Sequence, residues 1–143
     1  MFNSRNPAAA YASVGMDVGV HTADPHKLIL MLFDGAVLCV TTARIHMQSG
    51  NIPAKGQQIS QAINIIANGL KVSLDMEVGG ELAENLGALY DYMVTRLLHA
   101  NLHNQVPALT EVADLLGELK DAWAQIGGTP VPQASGMNTA AAA

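Results

Sequence analysis

The sequence predicts an all-α fold: an antiparallel up-down-up-down four-helix bundle with flexible N- and C-terminal tails. Three observations carry that prediction. Proline stands near the start, and glycine or asparagine near the end, of successive segments, the order in which helices begin and stop. No segment shows the period-two alternation of a half-buried strand. The connections between segments are short, so neighbouring helices run antiparallel.

Asp24-Pro25 opens the first helix, with Asp24 as N-cap and Pro25 at the first helical position, and Gly50-Asn51 closes it, giving about 25–49. Pro53 opens a second helix that runs to about Asp75. Gly79-Gly80 makes a flexible turn into a third helix over about 81–102, and Pro107 opens a fourth that ends at Gly127-Gly128. The organisation read from these marks is an N-terminal flexible segment 1–20, a helical domain 21–127 and a C-terminal tail 128–143.

The helix faces are not equivalent. His26–Val40 is apolar nearly all the way round, because Leu28 to Phe33 point in every direction at roughly 100° per residue. The run breaks at Asp34 and again at Thr41 to Arg44, short of the ~20 residues of a membrane span, so burial by protein is expected. The second helix has a core stripe (Ile59, Ile63, Ile66, Leu70, Leu74) and a second line (Ile65, Gly69, Val72, Met76) on roughly the opposite side. In the third, Leu82, Leu86, Leu89, Tyr90, Met93 and Leu97 face inward, flanked by Ala83, Gly87, Val94 and Leu98. The fourth is an ordinary amphipathic helix, with Val112, Leu115, Leu116, Leu119, Trp123 and Ile126 on one arc, and needs no partner. Helices one to three therefore offer more apolar surface than a four-helix bundle can bury.

Composition excludes several classes of function. The chain is 50% hydrophobic but only 13% charged, with net charge −5 and no Lys/Arg cluster, so no nucleic-acid or anionic-membrane footprint exists. The N-terminal stretch has no continuous apolar core of a secretory signal, which points to the cytoplasm. Cys39, the only cysteine, reads as a small buried hydrophobe. His99 and His103 have the i, i+4 spacing of two metal ligands, but neither a His-Glu-x-x-His nor a Glu-x-x-His pattern accompanies them, and no metal is expected. Glu81 and Glu84 suit the N-terminal dipole of the third helix. No nucleophile motif and no phosphate-binding loop is present, so neither an enzyme nor a cofactor is expected.

Four blocks, in order, resemble a known family: Ala23-Asp24-Pro25-His26-Lys27-Leu28-Ile29 with Met31-Leu32-Phe33-Asp34-Gly35-Ala36; Ala62-Ile63-Asn64-Ile65-Ile66; Asn85-Leu86-Gly87-Ala88-Leu89-Tyr90-Asp91-Tyr92-Met93; and Ala122-Trp123. They are similar to the flagellar export chaperones of the FliS family over about Tyr11 to Trp123. Phe33 stands where many relatives carry a tyrosine, and Gln61 where a lysine is common.

The resemblance implies an antiparallel four-helix bundle in the cytosol. It binds the C-terminal segment of flagellin, which is disordered when free and becomes helical in apolar grooves on the bundle. Covering that segment 1:1 prevents premature polymerisation and keeps flagellin competent for type III export, and the export gate is a further candidate partner. The residues expected at the client surface are Tyr11, Met31, Ile65, Gly69, Val72, Met76, Leu86, Tyr90 and Met93, with Tyr11 folding back as a plug in the empty groove. The alternative is a structural homodimer without a client, whose seam would bury the second stripe of helix two.

Overall fold

A computed structural model describes residues 24–128. The expected tails, residues 1–20 and 129–143, lie outside the described residues, as does Tyr11; Gly128, expected in the tail, is the last residue of a helix. Among the described residues every regular element is helical.

Helix α1 spans Pro25–Gln48, with the Asp24 carboxylate accepting from the Lys27 N–H at 3.0 Å and Pro25 in the first turn. Gly50, at φ +79°, turns the chain, and the Asn51 side chain caps helix α2, Ile52–Ile65, by accepting from the Ala54 N–H. The same rod continues beyond α2 as a π-turn over Ile66–Leu70 and a 3₁₀ turn over Lys71–Ser73, ending at extended Leu74. The Ser73 hydroxyl donates to the Gly69 carbonyl at 2.6 Å.

Helix α3, Met76–His103, starts earlier than the glycine pair suggests, because Asp75 is a better N-cap than either glycine: its carboxylate accepts from Glu77 and Val78 N–H. The expected break survives inside the helix. Gly80 sits at φ 52°, ψ −128°, open only to glycine, so one turn, Met76–Gly79, precedes the main rod. Asn104, left-handed at φ 53°, ends α3, and α4 runs Val106–Gly128.

Helices α1 and α3 each touch both α2 and α4, so the four form a square. Polar ties fix the antiparallel register. Arg44 near the end of α1 reaches Thr110 near the start of α4, Arg96 of α3 pairs with Glu111 of α4 at 2.8 Å, and Lys71 pairs with Asp91 at 2.7 Å. Lys55 is 3% exposed, and its ammonium donates to Asn101 O and Asn104 Oδ1 at 2.9 and 2.7 Å, placing a cation on the negative end of α3.

Helix α1 supplies much of the core through Leu32, Phe33, Ala36, Cys39, Val40, Ala43 and Met47. It is long and apolar enough to cross a membrane by composition alone, but here that face is buried in the bundle, with Leu38 and Ile45 on the outer side.

Candidate functional site

Antiparallel topology brings the start of α1, the end of the α2 rod, the start of α3 and the end of α4 to one end of the bundle. An apolar pocket of about 250 Å³ opens there. Ile29 and Phe33 come from α1, and Leu70, Ser73 and Leu74 from the end of the α2 rod. Leu82, Leu86 and Tyr90 line it from α3, and Leu119, Ala122, Trp123 and Ile126 from α4. Its rim leaves apolar surface in solvent: Leu82 is 66% and Ile126 62% exposed, and Val72, Met76 and Val78 are exposed on the adjoining connection. Large apolar side chains are also exposed away from this end, among them Leu38, Ile45, Ile52, Leu98 and Leu102, but here the exposed residues adjoin a pocket, the combination that marks a candidate partner surface.

One wall is locked by a reciprocal clasp. The Trp123 indole N–H donates to the His26 carbonyl at 3.0 Å, His26 Nε2 lies 2.6 Å from the Trp123 carbonyl, and the rings stack at 5.0 Å and 11°. Two chain-distant helix ends are thus held together beside the pocket.

The structure divides the expected client residues. Leu86 and Tyr90 line the pocket, Val72 and Met76 are exposed near it, and Met31 is half-buried on α1. Ile65, Gly69 and Met93 belong to the core rather than to a surface. For Ile65 and Gly69 the reason is the closeness of α1: a Cβ on Gly69 would sit 3.3 Å from a Leu32 methyl, and one on Gly35 would sit 3.4 Å from Ile65 Cδ1. Helix α2 packs against α1 on one side and α3 on the other, so its buried arc is wide and takes in half of the supposed outer stripe. Met93 has the same position in α3, facing the centre at 0% exposure.

Sequence reasoning missed the contribution of α4, whose last turns were expected to need no partner. The available signal was Leu119, Trp123 and Ile126 at i, i+4 and i+7 in the final turns, with the chain's only tryptophan at the centre.

The chemistry of the pocket is that of an apolar receptor. Burial alone pushes the Tyr90 phenol up to about 12. The charged groups with clear partners lie elsewhere: Glu111 accepts from Tyr92 and from Arg96, which lower its pKa, and a hydrogen bond to Asp34 raises that of Lys120. His99 and His103 are exposed with ring centroids 4.7 Å apart, and among the described residues no three metal-binding side chains cluster.

Comparison with known proteins agrees with this architecture. Residues 7–130 match the family described as "Flagellar protein FliS". The chain is 53% identical over 117 residues to the flagellar secretion chaperone FliS of Salmonella typhimurium, covering 82% of this chain and 87% of that one. It is 50% identical over 114 residues to the Escherichia coli protein of the same name, covering 80% and 84%, and 34% identical over 121 residues to that of Bacillus subtilis, covering 85% and 86%. A family match over most of the chain, carried by a helical bundle with an exposed apolar site, leads to one conclusion: this chain belongs to the FliS family of flagellar secretion chaperones.

Proposed function

We propose that this protein is a cytoplasmic export chaperone whose client is the C-terminal segment of flagellin, bound 1:1. The observation that carries the reading is the end pocket with its exposed rim, an apolar surface built by all four helices and left uncovered by the described residues. Occupancy is the whole mechanism: the client's assembly-prone segment, once held, cannot polymerise, and it reaches the export gate still unfolded elsewhere. No bond is made or broken, which agrees with membership of a chaperone family.

Coupled folding requires the client to bury enough apolar area to offset its own ordering, about 2–5 kcal/mol. The pocket supplies an anchor, and Val72, Met76 and Leu82 extend the contact outward. Tyr11, outside the described residues, remains the proposed plug of the empty site. Asp24, the first described residue, lies at this same end of the bundle, two residues from the His26–Trp123 clasp.

Titration calorimetry with a flagellin C-terminal peptide, paired with circular dichroism of the mixture, tests the reading. The expected result is 1:1 binding, a negative heat-capacity change and more helix than the two components contribute separately. No binding, with the chain itself a stable dimer in solution, would replace it with the homodimer reading.

A further inference from the structure

In a pocket whose walls are otherwise almost entirely hydrocarbon, Tyr90 is the exception. The residue is 4% exposed, it lines the cavity, and among the described residues its hydroxyl has no hydrogen-bond partner. Burial is the sole cause of its raised pKa; neither a hydrogen bond nor a charge contributes. The other hydroxyl on the wall, Ser73, already donates to Gly69 O. A water placed against Tyr90 would find few of the two to four partners that hold buried water in place. A buried phenol without a partner is costly in the empty protein, whereas phenylalanine would fill the same shape without that cost. Its neighbour shows the contrast: the exposed Tyr92 hydroxyl donates to Glu111 at 2.5 Å.

We infer that Tyr90 is the polar specificity element of the pocket. The client seats a bulky apolar side chain against Phe33, Leu86 and Trp123 and, beside it, presents a neutral carbonyl or amide oxygen that accepts the Tyr90 hydroxyl proton. A carboxylate is disfavoured, because the pocket offers no cation to offset its desolvation. This rests on the client reading above and adds to it a chemical requirement: a segment with apolar residues alone fills the volume but leaves the hydroxyl unsatisfied.

The test is Tyr90→Phe in the full-length chain, measured by thermal unfolding without ligand and by calorimetry with the flagellin C-terminal peptide. The expected pair of results has opposite signs: the free protein melts at the same temperature or higher, while the peptide binds about five- to tenfold more weakly. Leu82→Ser, at a solvent-exposed rim position, is expected to weaken the peptide without lowering the melting temperature. Equal affinity of wild type and Tyr90→Phe overturns the inference and leaves the client reading standing. A lower melting temperature for Tyr90→Phe also overturns it, by showing that the hydroxyl is already satisfied in the free chain, for instance by the chain's own residues before Asp24. Unchanged affinity of Leu82→Ser places the client elsewhere and overturns it too. Failure of the wild type to bind the peptide removes the client reading itself.

Discussion

Three glycine-to-alanine substitutions make the same chemical change in surroundings that dictate different outcomes. In a helix interior the change contributes about 1 kcal/mol through propensity alone. At Gly117 nothing lies within 4 Å of the new Cβ, so the full gain is expected. For a domain of this size that raises the melting temperature by about 4–8 °C. At Gly69 the Cβ meets two Leu32 methyls at 3.3 and 3.4 Å, and α1 and α2 must separate slightly. Overpacking of that kind costs about 1–3 kcal/mol, so the propensity gain is overridden and a net loss of about 1 kcal/mol follows. At Gly79 the Cβ would lie 2.7 Å from the Ala83 Cβ, a separation that only a backbone shift relieves, and the loss should be the largest of the three. Thermal unfolding followed at 222 nm ranks them Gly117→Ala, wild type, Gly69→Ala, Gly79→Ala, from most to least stable. A Gly69→Ala protein as stabilised as Gly117→Ala would refute the tight α1–α2 contact, and a neutral Gly117→Ala would refute the open space around that residue.

Three further outcomes follow from titratable groups. The pKa of Glu111 is depressed by Tyr92 and Arg96, so its contribution is present above the ordinary carboxylate range and is lost as pH falls through the lowered value. Melting curves of wild type and Glu111→Gln should therefore differ at pH 6 and converge in strong acid. The folded chain holds the Tyr90 proton to about pH 12 while the unfolded chain releases it near 10, so stability falls as pH rises across that window, and Tyr90→Phe should show a shallower fall. The Cys39 thiol is 6% exposed with its pKa raised by burial, so a thiol reagent at pH 8 should label it slowly in native buffer and at once in denaturant. Rapid native labelling would mean that α1 opens readily.

The bundle was legible because its punctuation is local. Asp24-Pro25, Gly50-Asn51 and Pro107 act through their own backbone, and the limits these residues mark follow within a residue or two, whereas the regular winding of the second helix stops at Ile65, before the expected Asp75. The Asp75 cap overrode Gly79-Gly80 because a carboxylate accepting two N–H groups starts a helix more strongly than glycine prevents one. The faces of the α2 rod were half legible. A fixed 100° step assigns Ile65 and Gly69 to an outer line, but α2 has two neighbours, and the π-turn after Ile65 changes the phase beyond it, leaving only Val72 and Met76 outside. The pocket itself was not legible as a unit. Ile29, Leu74, Leu86 and Trp123 meet only because four antiparallel rods end together, and no spacing along the chain encodes that meeting.

The clasp at the pocket's edge also makes the protein its own optical instrument. Trp123 is the only indole in the chain, one part of it stacked on an imidazole and the same residue lining the cavity. Any occupant that reaches the pocket alters the surroundings of that single chromophore. Its emission therefore follows site occupancy in real time without an added dye, and the kinetics of loading and release can be recorded on the unmodified chain.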